Sequence, residues 1–418
     1  MRSDSVMRTV LLLPLALTLA SAANDPQMKE RIKGIREYAK QGSGAIPSIE
    51  PYLADADTEV RLEATKAIAD IGTQRSIDPL VKALQDNAPE VQIRATIGIT
   101  NFYHPGYSKG RTRLSDENRD IVDGYVQARQ DVVEWLGKIA RGGASMESRA
   151  QAARALGVLR ARNAIPDLAE ALKSKNSSVL FEVLIAFQKI AEPSVAPTVQ
   201  YLLRDLDDRV QIAAIETAGI LRNRAALPDL REVIERARNA KIRRVALTSI
   251  AMMPDEASRS LFTQYFGDKD DGLRGAAAEG LGRLKNGADL TSLESAFENE
   301  KKMSPRLSMA FAAVMLGKHE LSEFSPLQYL VNTLNSRIYR DSAEPLILEL
   351  SRDETVRQNL YAALPKGTKE EKLRLVRVLG VTGDRDTLNV LEPMKTDIDG
   401  DVAQESVKAV RSIQARLP

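Results

Sequence analysis

Stripes of apolar residues three and four apart return along this chain about every 31 residues, separated by polar turns. Aligned on the residue that opens each stripe, Val60, Val91, Ser148, Val179, Val210, Ile242, Leu273 and Pro305 fall in phase, and after a gap so do Glu371 and Val402. Successive steps are 31 or 32 residues, except for one of 57 and one of 66. Within a stripe the opening residue and those four, eight and eleven later share one face of a helix. No stretch alternates apolar and polar residues long enough to predict a strand. In one unit, residues 45–53 (AIPSIEPYL) read as a first helix, 55–57 as a turn and 58–71 (TEVRLEATKAIADI) as a second helix. A unit of this size cannot bury its apolar face alone, so neighbours must stack. The pattern predicts an all-α fold, a right-handed α-solenoid of roughly ten or eleven antiparallel helix pairs.

Local signals agree with the period. Pro47, Pro79, Pro166, Pro197 and Pro228 recur near the start of first helices, where a missing N–H is tolerated. Thr58 is placed to cap a second helix, with Glu59 in its first turn. Gly157, Gly219, Gly282 and Gly380 each lie nine positions past the alignment residue. Mid-helix glycine costs about 1 kcal/mol against alanine, so its repetition predicts close approach to a neighbouring helix. Residues 23–44 carry a polar capping helix over the first unit, and residues 45–418 the solenoid. The 57-residue step holds an insertion near 104–130 that leads into a helix from about Asp116.

The amino end predicts export. Arg2 and Arg8 precede the apolar run 10–20, and Ala20-Ser21-Ala22 offers a cleavage site, so 1–22 is read as a signal peptide cut after Ala22. The expected location is periplasmic or secreted, with no membrane insertion after cleavage. The chain contains no cysteine, so burial along the stack must replace disulfides. Its net charge is only +2, and no overall field favours nucleic acid as a partner.

Segments such as DTEVRLEATKAIADIG, ESRAQAARALGVLR and DGLRGAAAEGLGRL resemble HEAT repeats of the short type found in phycobilisome lyase subunits, within the wider HEAT/armadillo-like superhelices. The resemblance runs from about Ala45 to the carboxyl terminus and weakens between Leu316 and Arg352. It implies a ladder in which an inter-helix Asp and an early Arg of the second helix link neighbouring units. Asp57 with Arg61 and Asp271 with Arg274 fit that pattern, whereas Gln92, Leu180 and Gln211 would interrupt it. It also implies a protein-binding scaffold, or alternatively a lyase or chromophore-handling factor.

No catalytic, metal-binding or cofactor-binding constellation is found. His104 and His319 are far apart and read as solvated. The acidic clusters Asp205-Asp207-Asp208, Asp268-Asp270-Asp271 and Asp397-Asp399-Asp401 coincide with turns and read as helix caps. Two surfaces remain as candidates for a protein partner. The insertion and its flanks hold Phe102, Tyr103, Tyr107, Tyr125 and Trp135, five of 19 aromatics, beside Lys109, Arg111 and Arg113. Against that, Phe102 and Trp135 pack in adjacent helices and the basic tip is solvated. The second surface is the outward side of the second helices, where positions two and six past the alignment residue are apolar in three units: Ile93 with Ile97, Phe181 with Ile185, and Leu307 with Phe311. Exposed on a concave face, these would form a binding groove; alternatively the insertion folds back over Ile93, Ile97 and Phe181. The resulting expectation is an exported, non-enzymatic scaffold that binds a protein on its concave surface. A periplasmic assembly or regulatory module is a further alternative.

Overall fold

The computed structural model describes residues 26–107 and 127–417. The expected signal peptide and the expected helix from Asp116 lie outside these residues. The described residues are helical, with no strand among them, and form an α-solenoid. Residues up to Ile190 make one compact unit and those from Ala191 a second.

In the first unit, helix Pro26–Ala39 buries Met28 and Ile35 and packs on the second helix of the first pair, Thr58–Ile71. Second helices Pro89–Tyr103, Met146–Val158 and Ser177–Ile190 follow, each stacked on its predecessor. The first helix of the third pair is Gln130–Gly142. The Tyr103 hydroxyl accepts a hydrogen bond from the backbone N–H of Arg129 at 3.2 Å. Tyr103 and Arg129 are therefore adjacent, and helix Met146–Val158 stacks directly on helix Pro89–Tyr103.

The second unit holds seven pairs, with second helices Asp208–Ile220, Ala240–Met252, Asp271–Leu284, Met303–Met315, Arg340–Leu350, Lys369–Thr382 and Gly400–Gln414. Helix Arg340–Leu350 accounts for the 66-residue step. Its N-cap, Tyr339, makes no side-chain capping bond, and Pro345 stands inside it, so the usual start signals are missing. Pro197 also departs from expectation. It lies within a 3-10 run, Pro193–Arg204, rather than at the start of an α-helix.

Most second helices begin with a carboxylate or amide cap. Asp57, Asp207, Asp270 and Asp399 accept from backbone N–H groups two residues on. Asp57 takes the role expected of Thr58, which is already helical. In each acidic cluster the earlier aspartate accepts from the N–H of the capping one, at 2.8 Å, 2.8 Å and 2.9 Å. These carboxylates shape turns, and among the described residues no group of three candidate ligands could hold a metal ion.

The glycines nine past each alignment residue sit where the stack is tightest. A Cβ built on Gly157 would lie 2.6 Å from the Cα of Ala186, and one on Gly282 would lie 2.7 Å from the Cα of Ala312. Gly219 against Ser249 and Gly380 against Ala409 repeat the contact. Position nine of one second helix thus meets position seven of the next.

A polar ladder runs alongside. The Arg61 guanidinium donates to Asp86 at 2.7 Å and 3.0 Å and to the Asp55 carbonyl at 3.0 Å. Arg274 reaches Glu300 at 2.9 Å, and Lys372 reaches Asp397 at 2.9 Å. The break expected at Gln92 does not occur. Its amide donates to the Asp86 carbonyl at 2.8 Å and accepts from the Ala144 N–H at 3.0 Å, so a neutral side chain spans the same two turns.

Gly157→Ala separates the two reasons for glycine here. Helix propensity alone would stabilise the variant by about 1 kcal/mol. The contact with the Ala186 backbone predicts the opposite sign, a loss of about 1–3 kcal/mol in urea unfolding.

Candidate functional site

On the first unit's second-helix face, Ile93 and Ile97 of helix Pro89–Tyr103 are half-buried, as are Phe181 and Ile185 of helix Ser177–Ile190. They keep part of their apolar surface towards solvent because positions two and six point away from the packed stripe. Helix Met146–Val158 runs between them and contributes a polar centre. Arg154 pairs with the buried Glu182 through a two-toothed contact, Nε to Oε2 at 3.0 Å with Nη2 on Oε1. The Arg154–Glu182 hydrogen bonds outweigh the burial of the guanidinium and hold its proton more firmly than usual.

The start of the insertion lies on this face. The Tyr107 hydroxyl accepts a hydrogen bond from Gln151 Nε2 at 2.7 Å, and burial pushes its phenol upward in pKa. His104 is 5% exposed, not solvated as expected, and its Nδ1 has no partner. Burial first, and then the charge of Lys189, lower its pKa and keep the ring neutral. Tyr103 is half-buried, stacked edge-on against Phe102 with ring centroids 5.1 Å apart. Trp135 is also half-buried, with Lys138 Nζ 3.9 Å from its ring centroid. Lys109, Arg111, Arg113 and Tyr125 fall outside the described residues.

In the second unit the expected apolar surface is closed. Leu307 is 1% and Phe311 0% exposed, so both belong to the core and not to a groove. The Arg283 guanidinium lies 4.7 Å from the Phe311 ring centroid. From there it reaches Glu349 on helix Arg340–Leu350, two steps along the stack, with Nε–Oε1 and Nη2–Oε2 both 2.8 Å. It also donates to Glu279 at 2.9 Å and to the Ala251 carbonyl at 3.2 Å. A helix that meets its second neighbour in this way lies on the inside of a tight curve, and the helix between them, Met303–Met315, loses its outlet to solvent. Sequence reading named neither Arg283 nor Glu349. The spacing of Glu279 and Arg283 was readable as an i,i+4 pair, but nothing local points to Glu349.

Burial raises the Glu349 pKa and pairing with Arg283 lowers it, and the pairing wins. A carboxyl held below its ordinary range stabilises the fold fully above that range, and the contribution is lost as pH falls through the depressed value. Wild type should therefore lose stability relative to Glu349→Gln as pH drops from neutral through the carboxylate range, measured as the difference in Tm. A constant difference across that range would refute the assignment. Phe311→Ala should cost about 3–5 kcal/mol, as expected for a fully buried ring. Ile97→Ala, a smaller side chain already partly in water, should cost less in the same denaturant titration.

A family model for HEAT repeats matches residues 16–100, 133–219, 182–251 and 227–312. No curated protein sequence matches the chain. Among solved structures it is similar to an engineered protein at 15% identity, covering 88% of this chain and 98% of that one, with a TM-score of 0.35. It is likewise similar to the CpcE–CpcF complex of phycocyanin lyase from Nostoc sp. PCC7120, at 17% identity, 66% and 88% coverage and a TM-score of 0.33. Human deoxyhypusine hydroxylase matches at 15% identity, 68% and 96% coverage and a TM-score of 0.28. With the repeat model matching well over half of its residues, the chain belongs to the HEAT-repeat family.

Proposed function

We propose that this chain is an exported, non-enzymatic scaffold that holds a protein segment against the second-helix face of its first unit. The observation that carries the reading is the difference between the two units at equivalent positions. Phe311 lies beneath Arg283 and Leu307 is buried, whereas Ile93, Ile97 and Ile185 keep part of their surface open on the face that carries the Arg154–Glu182 pair. An apolar surface with a charged pair at its centre suits a segment that carries apolar anchors and at least one polar group. A stacked scaffold presents such a surface with little ordering cost on its own side. Support for export is the run 10–20 followed by Ala20-Ser21-Ala22.

Affinity capture with residues 23–418, read by mass spectrometry, should recover a protein that Ile97→Asp and Ile185→Asp no longer retain. Their circular dichroism should match that of the parent. Undiminished retention by both variants would defeat the binding reading, and loss of helicity would place the two side chains in the core. Amino-terminal sequencing of the chain purified from its natural source should begin near Ala23, and an intact residue 1 would remove export from the proposal.

A further inference from the structure

The second unit has a cavity of about 330 Å³ where the carboxyl ends of several second helices converge. Three cations stand at its wall: Arg222 after helix Asp208–Ile220, Lys285 after helix Asp271–Leu284, and Arg352 after helix Arg340–Leu350. All three are exposed, and among the described residues none lies within ion-pair distance of a carboxylate. The two acids of the wall are already engaged. Glu349 is held at both oxygens by Arg283, and Asp353 accepts from the backbone N–H groups of Thr355 and Val356 at 2.9 Å and 3.3 Å. His319 adds an imidazole, and Leu350 with Val356 adds an apolar patch.

Helix dipoles explain part of this arrangement, since a cation after the last turn is favourable by a few tenths to about 1 kcal/mol. Arg160 occupies the equivalent position in the first unit, in the same left-handed backbone conformation as Arg222 and Lys285, with φ values of 48°, 52° and 54°. Dipole complementarity places one cation at each helix end. It does not favour bringing three together around one cavity, where they repel each other. The field of Arg222 and Arg352 is felt inside the cavity, because both add to the lowering of the Glu349 pKa after burial and Arg283 have acted.

We propose that this cavity binds a small phosphate monoester, with the dianion between Arg222, Lys285 and Arg352 and its organic body against Leu350 and Val356. With Glu349 paired to Arg283 and the charge of Asp353 offsetting one cation, the wall keeps two positive charges, which a dianion balances and a monoanionic carboxylate does not. The volume suits a ligand of a few heavy atoms more than phosphate itself.

The test is calorimetric titration of the protein spanning residues 23–418 with phenyl phosphate at fixed ionic strength and pH 8. Binding with one site per chain is expected. Arg222→Ser combined with Arg352→Ser should raise Kd about tenfold to a hundredfold, the loss expected for charge-assisted hydrogen bonds. Arg160→Ser should bind as wild type does. Three outcomes would overturn the proposal: absence of heat with wild type, equal affinity in the double variant, or an equal loss in Arg160→Ser, which would indicate a general response to charge. The wild-type titration decides the matter even where the double variant fails to fold.

Discussion

The contact on which the structure rests is the near-touching of successive second helices through small residues. Position nine of one helix meets position seven of the next, as Gly157 meets Ala186, Gly219 meets Ser249 and Gly380 meets Ala409. Larger side chains at these points would push the helices apart and expose the apolar stripe that each relies on its neighbour to cover. Mid-helix glycine sacrifices local helix stability, and the sacrifice is recovered as burial of Val179, Val183 and Phe187 and their counterparts in other pairs. A chain without cysteine depends on that exchange, because no disulfide holds one pair to the next.

Close stacking also decides which outward side chains can serve as a surface. In the second unit Arg283 bridges to Glu349 across an intervening helix, and Phe311 lies beneath the guanidinium. In the first unit Arg154 pairs with Glu182 on the adjacent helix and meets Tyr107, and spans no further helix. The arginine that spans two steps closes its face, and the one that spans a single step leaves its face partly open. Ion pairs here act chiefly as geometric ties, since the Coulomb gain of such pairs is largely offset by desolvation.

The periodic part of this fold was legible because each repeat restates the same physics. A 31-residue spacing, an aspartate turn and a glycine at position nine each point to the same helical hairpin. Legibility ended where information ceased to be local. A helical wheel treats each helix separately, so it gave Leu307 and Phe311 the outward position they occupy on their own helix and could not anticipate a lid formed by Arg283 and Glu349. The 66-residue step is about two units long, and helix Arg340–Leu350 fills it without the usual start signals because Tyr339 and Pro345 stand in their place. Gln92 reads as a gap in the ladder because the pattern calls for charge where hydrogen bonding is sufficient. His104 was read as solvated because its burial depends on residues 104–107 folding back onto helix Met146–Val158, and nothing within that short segment requires it.

That fold-back makes recognition and packing parts of one surface rather than competing accounts of it. Tyr107 rests on Gln151 through a neutral hydrogen bond, worth about 1 kcal/mol net. A partner segment of the kind proposed would cover the open parts of Ile93, Ile97 and Ile185, well under half of each side chain, and gain about 0.5–1 kcal/mol at most from each. The buried neutral His104 adds an unsatisfied nitrogen, which burdens the folded-back arrangement further. Tyr107 also shares a hydrogen bond with Arg154, and burial of its phenol adds to the hold of residues 104–107, so a single apolar anchor would not displace them. On the proposed reading, selectivity would follow from the number of apolar anchors a segment presents together, with the Arg154–Glu182 pair fixing its register.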